Sequence, residues 1–137
     1  MQLKINIEPV AKGRPRFTRN GRTYTPQKTR DYERRVRGAF LEANKETMPV
    51  YPRDVALEVE AVFAKSVPKS YTKKIRELCL SGKMQPTVKA DLDNYLKAVL
   101  DAINGLAFED DAQIVRIKSE KIYAEEPYVE IKIRSLK

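Results

Sequence analysis

The sequence predicts an α+β fold in which a mixed sheet of about four strands has one face covered by about three helices. Stretches of alternating apolar and polar residues, typical of half-buried strands, occur near both ends and in the middle of the chain. Segments with apolar residues three or four positions apart, typical of amphipathic helices, lie between them. The 137 residues suit one hydrophobic core, and no internal repeat or linker divides them. We therefore expect a single domain over residues 1–137.

Two strands and one helix are predicted in the first half of the chain. A half-buried strand is predicted where apolar residues alternate with polar ones at Leu3, Ile5 and Ile7. Residues 9–26 contain prolines and glycines that exclude a regular helix and favour an arginine-rich loop or a short hairpin. A helix is predicted over 31–46, with its apolar stripe at Tyr32, Val36, Ala39, Phe40 and Ala43. A second strand is predicted by the strict alternation at Val55, Leu57, Val59, Ala61 and Phe63.

Two helices and two strands are predicted in the second half. A short helix over 70–80 should end at Gly82 and turn inward Ile75, Leu78 and Cys79. Residues 83–89 are expected to form a connector. The clearest helical stripe follows and ends before Asn104; it consists of Leu92, Leu96, Val99, Leu100 and Ile103. Strands are predicted over 113–123 and 129–133, with the turn AEEPY between them.

Basic residues are concentrated in one segment. Residues 11–38 hold ten basic and two acidic residues, so this segment accounts for the whole net charge of +8. Eight of the ten are arginine, whose planar guanidinium suits bidentate contact with phosphate. A solvated basic face that aids solubility is the plainer explanation, but the arginine content favours a nucleic-acid partner and salt-dependent binding. The residues expected to contact DNA are Lys12, Arg14, Arg16, Arg19, Arg22, Lys28 and Arg30.

The single cysteine and the absence of histidine limit the available chemistry. Cys79 cannot form an internal disulfide, and too few soft ligands remain for a structural zinc site, which suits a reducing cytoplasm. Hydrolysis by serine–histidine or cysteine–histidine pairs is excluded unless a second chain supplies the histidine. The N-terminal segment lacks the pattern of a signal peptide, and no apolar run approaches the roughly 20 residues of a membrane span. Carboxylates, lysine and arginine remain as candidate catalytic groups.

Carboxylates cluster at both ends of the helix predicted over 92–103. Asp91 and Asp93 lie at its start, and Asp110 and Asp111 lie beyond its end, just before a predicted strand. The first two point the same way only if the chain is still extended at Asp91 and enters the helix there. Either acid alone is explained as a cap or first-turn residue. That explanation covers one carboxylate rather than four, and clustered carboxylates repel each other unless a cation lies between them.

Magnesium is the natural cation for such a cluster, because it binds a few carboxylates and keeps water and phosphate oxygens as its other ligands. A short return from the helix to the next strand can bring both acidic pairs to the same edge of the sheet. Beside an arginine-rich surface, this site indicates phosphodiester hydrolysis. Lys97, one turn after Asp93, is suited to neutralise developing charge. Its plainer explanation is an i,i+4 ion pair with Asp93 or Asp101, worth about 0.2–0.5 kcal/mol.

A longer pattern surrounds these acids. The residues at 91–97 read D-x-D-N-x-x-K, the run KAVLDAINGLAFEDDAQI follows, and KGRPR and YTP occur early in the chain. In these features the sequence resembles the RusA-like endodeoxyribonucleases, the Holliday junction resolvases of bacteria and their phages, with KGRPR and YTP similar to prophage-type members. The resemblance is strong over 89–114, moderate over 9–40 and weak between them.

The resemblance implies a homodimeric, Mg²⁺-dependent enzyme that binds four-way DNA junctions by their structure and makes paired, symmetric nicks in recombination and repair. It implies a RusA-like fold and catalytic roles for Asp91, Asp93, Lys97 and Asp111. The implied metal ligands are Asp91, Asp93 and Asp111, and Asp110 is the next candidate. An isologous pair of subunits would match the symmetry of a four-way junction.

Two positions depart from the family pattern. Ala90 stands where many members have proline, and Tyr95 stands where leucine is usual. Neither departure removes a ligand. Without the proline, however, the extended entry to Asp91 should be less rigid.

Two other functions stay open at this point. A Mg²⁺-dependent nuclease could prefer other branched DNA, such as forks or flaps, and a DNA-binding protein without catalysis would use the acids only for structure. For the arginine-rich segment we expect phosphate contacts rather than base reading, because the family that the sequence resembles recognises DNA by shape. A loss of affinity with a flatter salt dependence is the expected result of replacing Arg14 and Arg16.

Overall fold

A four-stranded mixed sheet in the order β1-β6-β4-β5 organises the chain. The computed structural model describes residues 1–12, 16–46 and 50–136, and leaves out the side chains of Arg16, Phe17 and Tyr24. The sheet consists of β1 (Gln2–Ile5), β4 (Leu57–Ser66), β5 (Ile114–Ala124) and β6 (Tyr128–Ser135). A separate two-stranded hairpin consists of β2 (Arg16–Phe17) and β3 (Thr23–Tyr24). The helices are α1 (Gln27–Asn44), α2 (Lys73–Leu80) and α3 (Leu92–Ile103).

Strand β4 lies at the centre of the described sheet. It pairs antiparallel with β6 and parallel with β5, whereas β1 pairs antiparallel with β6. The predicted alternation has its expected effect here, since one face of β4 is buried under the helices through Leu57, Val59, Ala61 and Phe63. The predicted α+β fold, with a mixed four-stranded sheet and three helices, is therefore confirmed.

Helix α1 begins four residues earlier than predicted, at Gln27. Pro26 precedes it with φ −53° and ψ 144°, so the proline stands just outside the helix and does not interrupt it. The predicted stripe is also wrong at its end, because Ala43 is exposed and Asn44 is buried instead. The Asn44 side-chain amide donates to the carbonyl oxygens of Gln2 and Phe40, both at 2.9 Å, and its oxygen accepts from the Gln2 N–H at 3.1 Å. Asn44 thereby ties the end of α1 to the edge strand β1.

Helix α3 has the predicted length, but its buried face is rotated from the predicted stripe. The fully buried residues are Tyr95, Ala98, Val99, Ala102 and Ile103, while Leu92, Leu96 and Leu100 are only partly covered. The Tyr95 ring stacks on Phe63 of β4, with ring centroids 5.5 Å apart. This aromatic pair places the Tyr95 side of α3 against the sheet.

Helix α2 begins at Lys73, three residues later than predicted, whereas its end before Gly82 is as predicted. Helix α2 is capped by Thr72, whose hydroxyl accepts from the Ile75 N–H at 3.2 Å, and Gly82 follows its end with φ +82°. Residues 83–89 form the expected irregular connector. None of the helices within the described ranges has the length and apolar character needed to cross a bilayer.

The face of the sheet opposite the helix-covered side of β4 carries charged residues, and Glu58 is the most enclosed of them. Its side chain has no exposed surface, although the three side chains that pair with it, those of Arg116, Arg134 and Lys118, are more than half exposed. Arg116 and Arg134 donate to its two oxygens at 3.0 and 2.9 Å. These hydrogen bonds, that of Arg116 first, outweigh the desolvation of the carboxylate and hold the pKa of Glu58 below its ordinary value. The ion cluster therefore links β4, β5 and β6.

Replacing Glu58 with glutamine should remove a pH-dependent part of the stability. Because the folded pKa lies below the usual 4.5, the carboxylate stabilises the fold above that pH and loses its contribution as the pH falls through the folded pKa. The loss of Tm in Glu58→Gln should thus be largest near neutral pH and shrink in acid. Glu125→Gln, in an exposed turn, is the control. A Tm difference that stays constant from neutral to acidic pH would contradict this account.

Candidate active site

The start of α3 presents two exposed carboxylates. Asp91 precedes the helix with an extended backbone, φ −68° and ψ 142°, as the sequence predicted. Its carbonyl oxygen accepts from the N–H groups of Asn94 and Tyr95 at 3.1 and 3.2 Å and so begins the helix. Its carboxylate makes no capping hydrogen bond and is exposed, as is that of Asp93 in the first turn. The Asp91 backbone therefore starts the helix while its carboxylate stays available to solvent.

Lys12 links the beginning of the arginine-rich segment to α1 and α3. Its backbone N–H donates to the Asn94 carbonyl oxygen at 3.0 Å. Its side-chain ammonium pairs with Glu33 and lies 3.3 Å from the Asp101 carboxylate. Burial alone would lower the pKa of Lys12, but the hydrogen bonds to Glu33 and Asp101 reverse that effect and raise it. Asp101 also lies 3.7 Å from Lys97, the i,i+4 ion pair foreseen as the plainer explanation of Lys97. The Lys97 side chain is still 62% exposed, so it can also meet a ligand.

The second acidic pair lies in a 3₁₀ turn, Asp111–Gln113, immediately before β5. Asp110 caps this turn and its carboxylate accepts from the Ala112 N–H at 3.4 Å. Asp111 is exposed, and a hydrogen bond between its carboxyl and that of Asp110 raises the pKa of Asp111. Partial desolvation and the negative charges of Asp110 and Asp101 raise this pKa further, whereas the positive charge of Lys97 lowers it. Asp110 thus caps the turn, whereas the Asp111 carboxyl is exposed and makes no capping hydrogen bond.

Gln113 fixes the position of this acidic turn, and the sequence analysis did not single it out. Its side chain is buried at 6% exposure and donates to the carbonyl oxygens of Pro52 and Val55 at 2.7 and 3.0 Å. Its oxygen accepts from the N–H groups of Glu109 and Asp110, both at 3.0 Å. The D-x-x-Q pattern at 110–113 is a capping-box signature, and it could have revealed this role.

The two acidic pairs are attached to different parts of the fold. Asp91 and Asp93 lie at the N-terminal end of α3, and Asp110 and Asp111 follow the loop beyond its C-terminal end. The 12-residue helix between them is about 18 Å long. Within the described ranges, no group of three or more acidic or cysteine side chains is close enough together to hold a metal ion. The hard carboxylate oxygens fit a divalent cation, and the closeness of Asp110, which raises the pKa of Asp111, marks a place where a cation would relieve repulsion.

The predicted DNA contacts surround the hairpin of β2 and β3. Arg19 and Arg22 lie in its connecting turn and are exposed. The turn is closed by hydrogen bonds from the Thr18 N–H to the Arg22 carbonyl oxygen at 2.8 Å and from the Gly21 N–H to the Thr18 carbonyl oxygen at 3.0 Å. Gly21 has φ +75°, a conformation that favours glycine. The predicted hairpin is therefore present and presents two guanidinium groups at its tip.

The other predicted contacts divide into three groups. Lys28 and Arg30 are exposed on the first turns of α1. Lys12 is engaged with acids of the protein itself. Arg14 lies outside the described residues, and only the backbone of Arg16 lies within them.

Substituting Gln113 with leucine should destabilise the protein by about 1–3 kcal/mol, because partly buried N–H and carbonyl groups lose their partners. Urea unfolding measures this loss. Gln85→Leu is the control, since Gln85 is exposed and its side-chain amide donates to the Gly82 carbonyl oxygen at 2.8 Å. Equal destabilisation by the two substitutions would show that Gln113 does not fix the turn.

Comparison with known proteins shows the family to which the chain belongs. The family model described as endodeoxyribonuclease RusA matches residues 6–134. A protein of Bacillus subtilis (strain 168) described as uncharacterized protein YqaN is 40% identical over 139 residues, which span 99% of this chain and 96% of that protein. The family implies metal-dependent nuclease activity and binding to branched DNA. This chain belongs to the RusA family of endodeoxyribonucleases.

Proposed function

We propose that the protein is a Mg²⁺-dependent, structure-specific endodeoxyribonuclease that resolves Holliday junctions by paired phosphodiester hydrolysis in DNA recombination and repair. One observation supports the proposed metal-dependent hydrolysis. The chain has 27 lysine and arginine residues, yet within its described part none of them pairs with Asp91, Asp93, Asp110 or Asp111. Other acids of the described chain, Asp54 among them, are also unpaired. These four differ because they lie in close pairs at the start of α3 and beyond its end, where an external cation would relieve their repulsion.

The residues proposed to hold Mg²⁺ are Asp91, Asp93 and Asp111, with Asp110 as a further ligand. Because α3 separates the two pairs, a single ion held by both would require the turn at Asp111 and the start of α3 to approach each other. When bound, the ion would activate water and stabilise the charge that develops on phosphorus. Asp91 and Asp93 offer carboxylates on a helix start that is already formed, so little ordering is needed when a ligand binds. Lys97 presents an exposed ammonium four residues after Asp93, and Asp101 limits its motion. Its proposed role is to neutralise phosphate charge.

A homodimer is the proposed working form. Two symmetric nicks require two active sites, and an isologous two-fold pair of subunits matches the symmetry of a four-way junction. The DNA substrate and the single buried thiol, Cys79, both suit the cytoplasm as the place of action.

The arginine hairpin is proposed to contact phosphates. Arg19 and Arg22 lie exposed in its turn, and Lys12 fixes the start of the same segment beside α3, next to the candidate site. Because Lys12 already pairs with Glu33 and Asp101, it should serve mainly as this anchor. The proposed task of the hairpin is to hold the DNA backbone while the carboxylates act on it.

Replacing Asp93 with asparagine should abolish cutting of a synthetic four-way junction in Mg²⁺ while binding in EDTA survives. The substitution removes one negative charge and one metal ligand but leaves the helix start intact. Asp54→Asn, at another exposed acid, is the matched control and should cut normally. Equal loss of binding and cutting by Asp93→Asn would make this acid structural, and unchanged cutting would exclude it from the site.

Replacing Arg19 and Arg22 together with glutamine should weaken junction binding and flatten its salt dependence. Each lost phosphate contact lowers the slope of log K against log salt by about 0.9. The double substitution Lys73→Gln and Lys74→Gln, on exposed residues of α2, makes the same charge change away from the hairpin. Measuring the junction Kd over a range of salt concentrations distinguishes the hairpin variant from the α2 variant. An unchanged slope in the hairpin variant, or the same decrease in both, would rule out direct phosphate contacts by these arginines.

A further inference from the structure

Two lysines of the sheet hold the three residues that lead into Asp91. The Lys121 ammonium donates to the carbonyl oxygen of Val88 at 2.8 Å and to that of Ala90 at 2.9 Å. The Lys65 ammonium donates to the carbonyl oxygen between them, that of Lys89, at 3.1 Å. Three successive carbonyl groups therefore each accept a hydrogen bond from a lysine side chain.

The positions of the two lysines on neighbouring strands explain why both reach the same segment. Lys65 belongs to β4 and Lys121 to the neighbouring β5, where Lys121 is paired with Phe63. Alternation along the strands places both side chains on the face covered by the helices. Tyr95 of α3 completes the contact, since its hydroxyl lies 3.4 Å from the Lys65 ammonium. The segment before Asp91 is thus attached to two strands and to α3.

The charges of these lysines are not used in ion pairs. Neither Lys65 nor Lys121 pairs with an acid in the described part of the chain, and both are partly buried. A partly buried ammonium needs strong acceptors, and hydrogen bonds from a charged donor are stronger than neutral ones. The carbonyl groups of residues 88–90 supply those acceptors. The hydrogen bonds therefore hold both the lysine side chains and this segment in place.

The last of these carbonyls bears directly on Asp91. The Ala90 carbonyl belongs to the peptide group that contains the Asp91 nitrogen, so Lys121 fixes the orientation of that peptide plane. On its other side, the Asp91 carbonyl is held by the N–H groups of Asn94 and Tyr95. The backbone of Asp91 is therefore restrained on both sides, while its carboxylate is exposed.

We infer that Lys65 and Lys121 are positioning residues for Asp91, which keep its carboxylate in place before metal or DNA binds. This inference rests on the proposed function, in which Asp91 is a metal ligand. Lys121 has the larger part, because its ammonium binds the carbonyl next to Asp91. The lysines themselves touch neither metal nor substrate.

Hydrogen–deuterium exchange of the metal-free protein tests the restraint without any need for activity. Deuterium uptake over residues 88–95 should rise at least about tenfold in rate in Lys121→Met and rise less in Lys65→Met, because each variant frees a different part of the segment. Lys121→Arg should restore slow exchange, since a guanidinium can also donate to two carbonyls. Lys132→Met, at an exposed lysine on β6, should leave uptake unchanged.

Kinetics and metal titration test the consequence for Asp91. In Lys121→Met, kcat for junction cutting should fall about 10- to 100-fold and half-maximal Mg²⁺ should rise, the range typical when groups behind a metal ligand are removed. Junction Kd in EDTA should not change. If the wild type cuts no branched DNA, the proposed function fails, but the exchange experiment still decides whether the lysines restrain the segment.

Two outcomes would overturn the inference. Unchanged exchange over 88–95 in both methionine variants would show that the lysines do not hold the segment. Faster exchange with unchanged kcat and unchanged Mg²⁺ dependence would show that the restraint does not position Asp91. A Lys121→Met protein that fails to fold would leave Lys65→Met and Lys121→Arg to be compared with Lys132→Met by the same measurements.

Discussion

The parallel pairing of β4 with β5 is the constraint on which the candidate site depends. Parallel neighbours require a long crossover that returns along the length of the strands. Here the crossover comprises residues 67–113 and contains α2, α3 and all four candidate acids. Each acidic pair is anchored separately, because Lys65 and Lys121 hold the entry to Asp91, whereas Gln113 holds the turn at Asp111. The sheet thus determines where both carboxylate pairs can lie.

Charged residues have different roles in different parts of the fold. The acids at 91, 93, 110 and 111 have no cationic partner in the described structure, whereas two acids that hold elements together are paired: Glu58 with three basic residues of the sheet, and Asp101 with Lys12 and Lys97. Asp101 therefore connects the start of the arginine-rich segment to the lysine proposed to face phosphate. A basic surface that draws DNA in and unpaired acids that attract a cation would act at neighbouring places.

Local patterns predicted much of the fold and the acids, but not the contacts that hold them. The alternation in β4 and the apolar stripe of α3 are properties of neighbouring residues, so the sequence predicted those elements. The roles of Asn44 and Lys121 depend on partners 42 and 31 positions away in the chain, which no local pattern reveals. For Gln113, the D-x-x-Q pattern indicates the local bonds, but not those to Pro52 and Val55, which are 61 and 58 positions away. The start of α1 was predicted too late because Pro26 was interpreted as part of a loop rather than as the residue before a helix.

The most direct test of the proposed function compares the wild type on a four-way junction, a fork and a linear duplex of matched sequence, in Mg²⁺ and in EDTA. Labelled strands show where each substrate is nicked. The account predicts symmetric nicks in the four-way junction, in Mg²⁺ only, and little cutting of the other substrates. Preferential cutting of the fork would contradict junction resolution, and metal-independent binding without any nick would contradict nuclease activity.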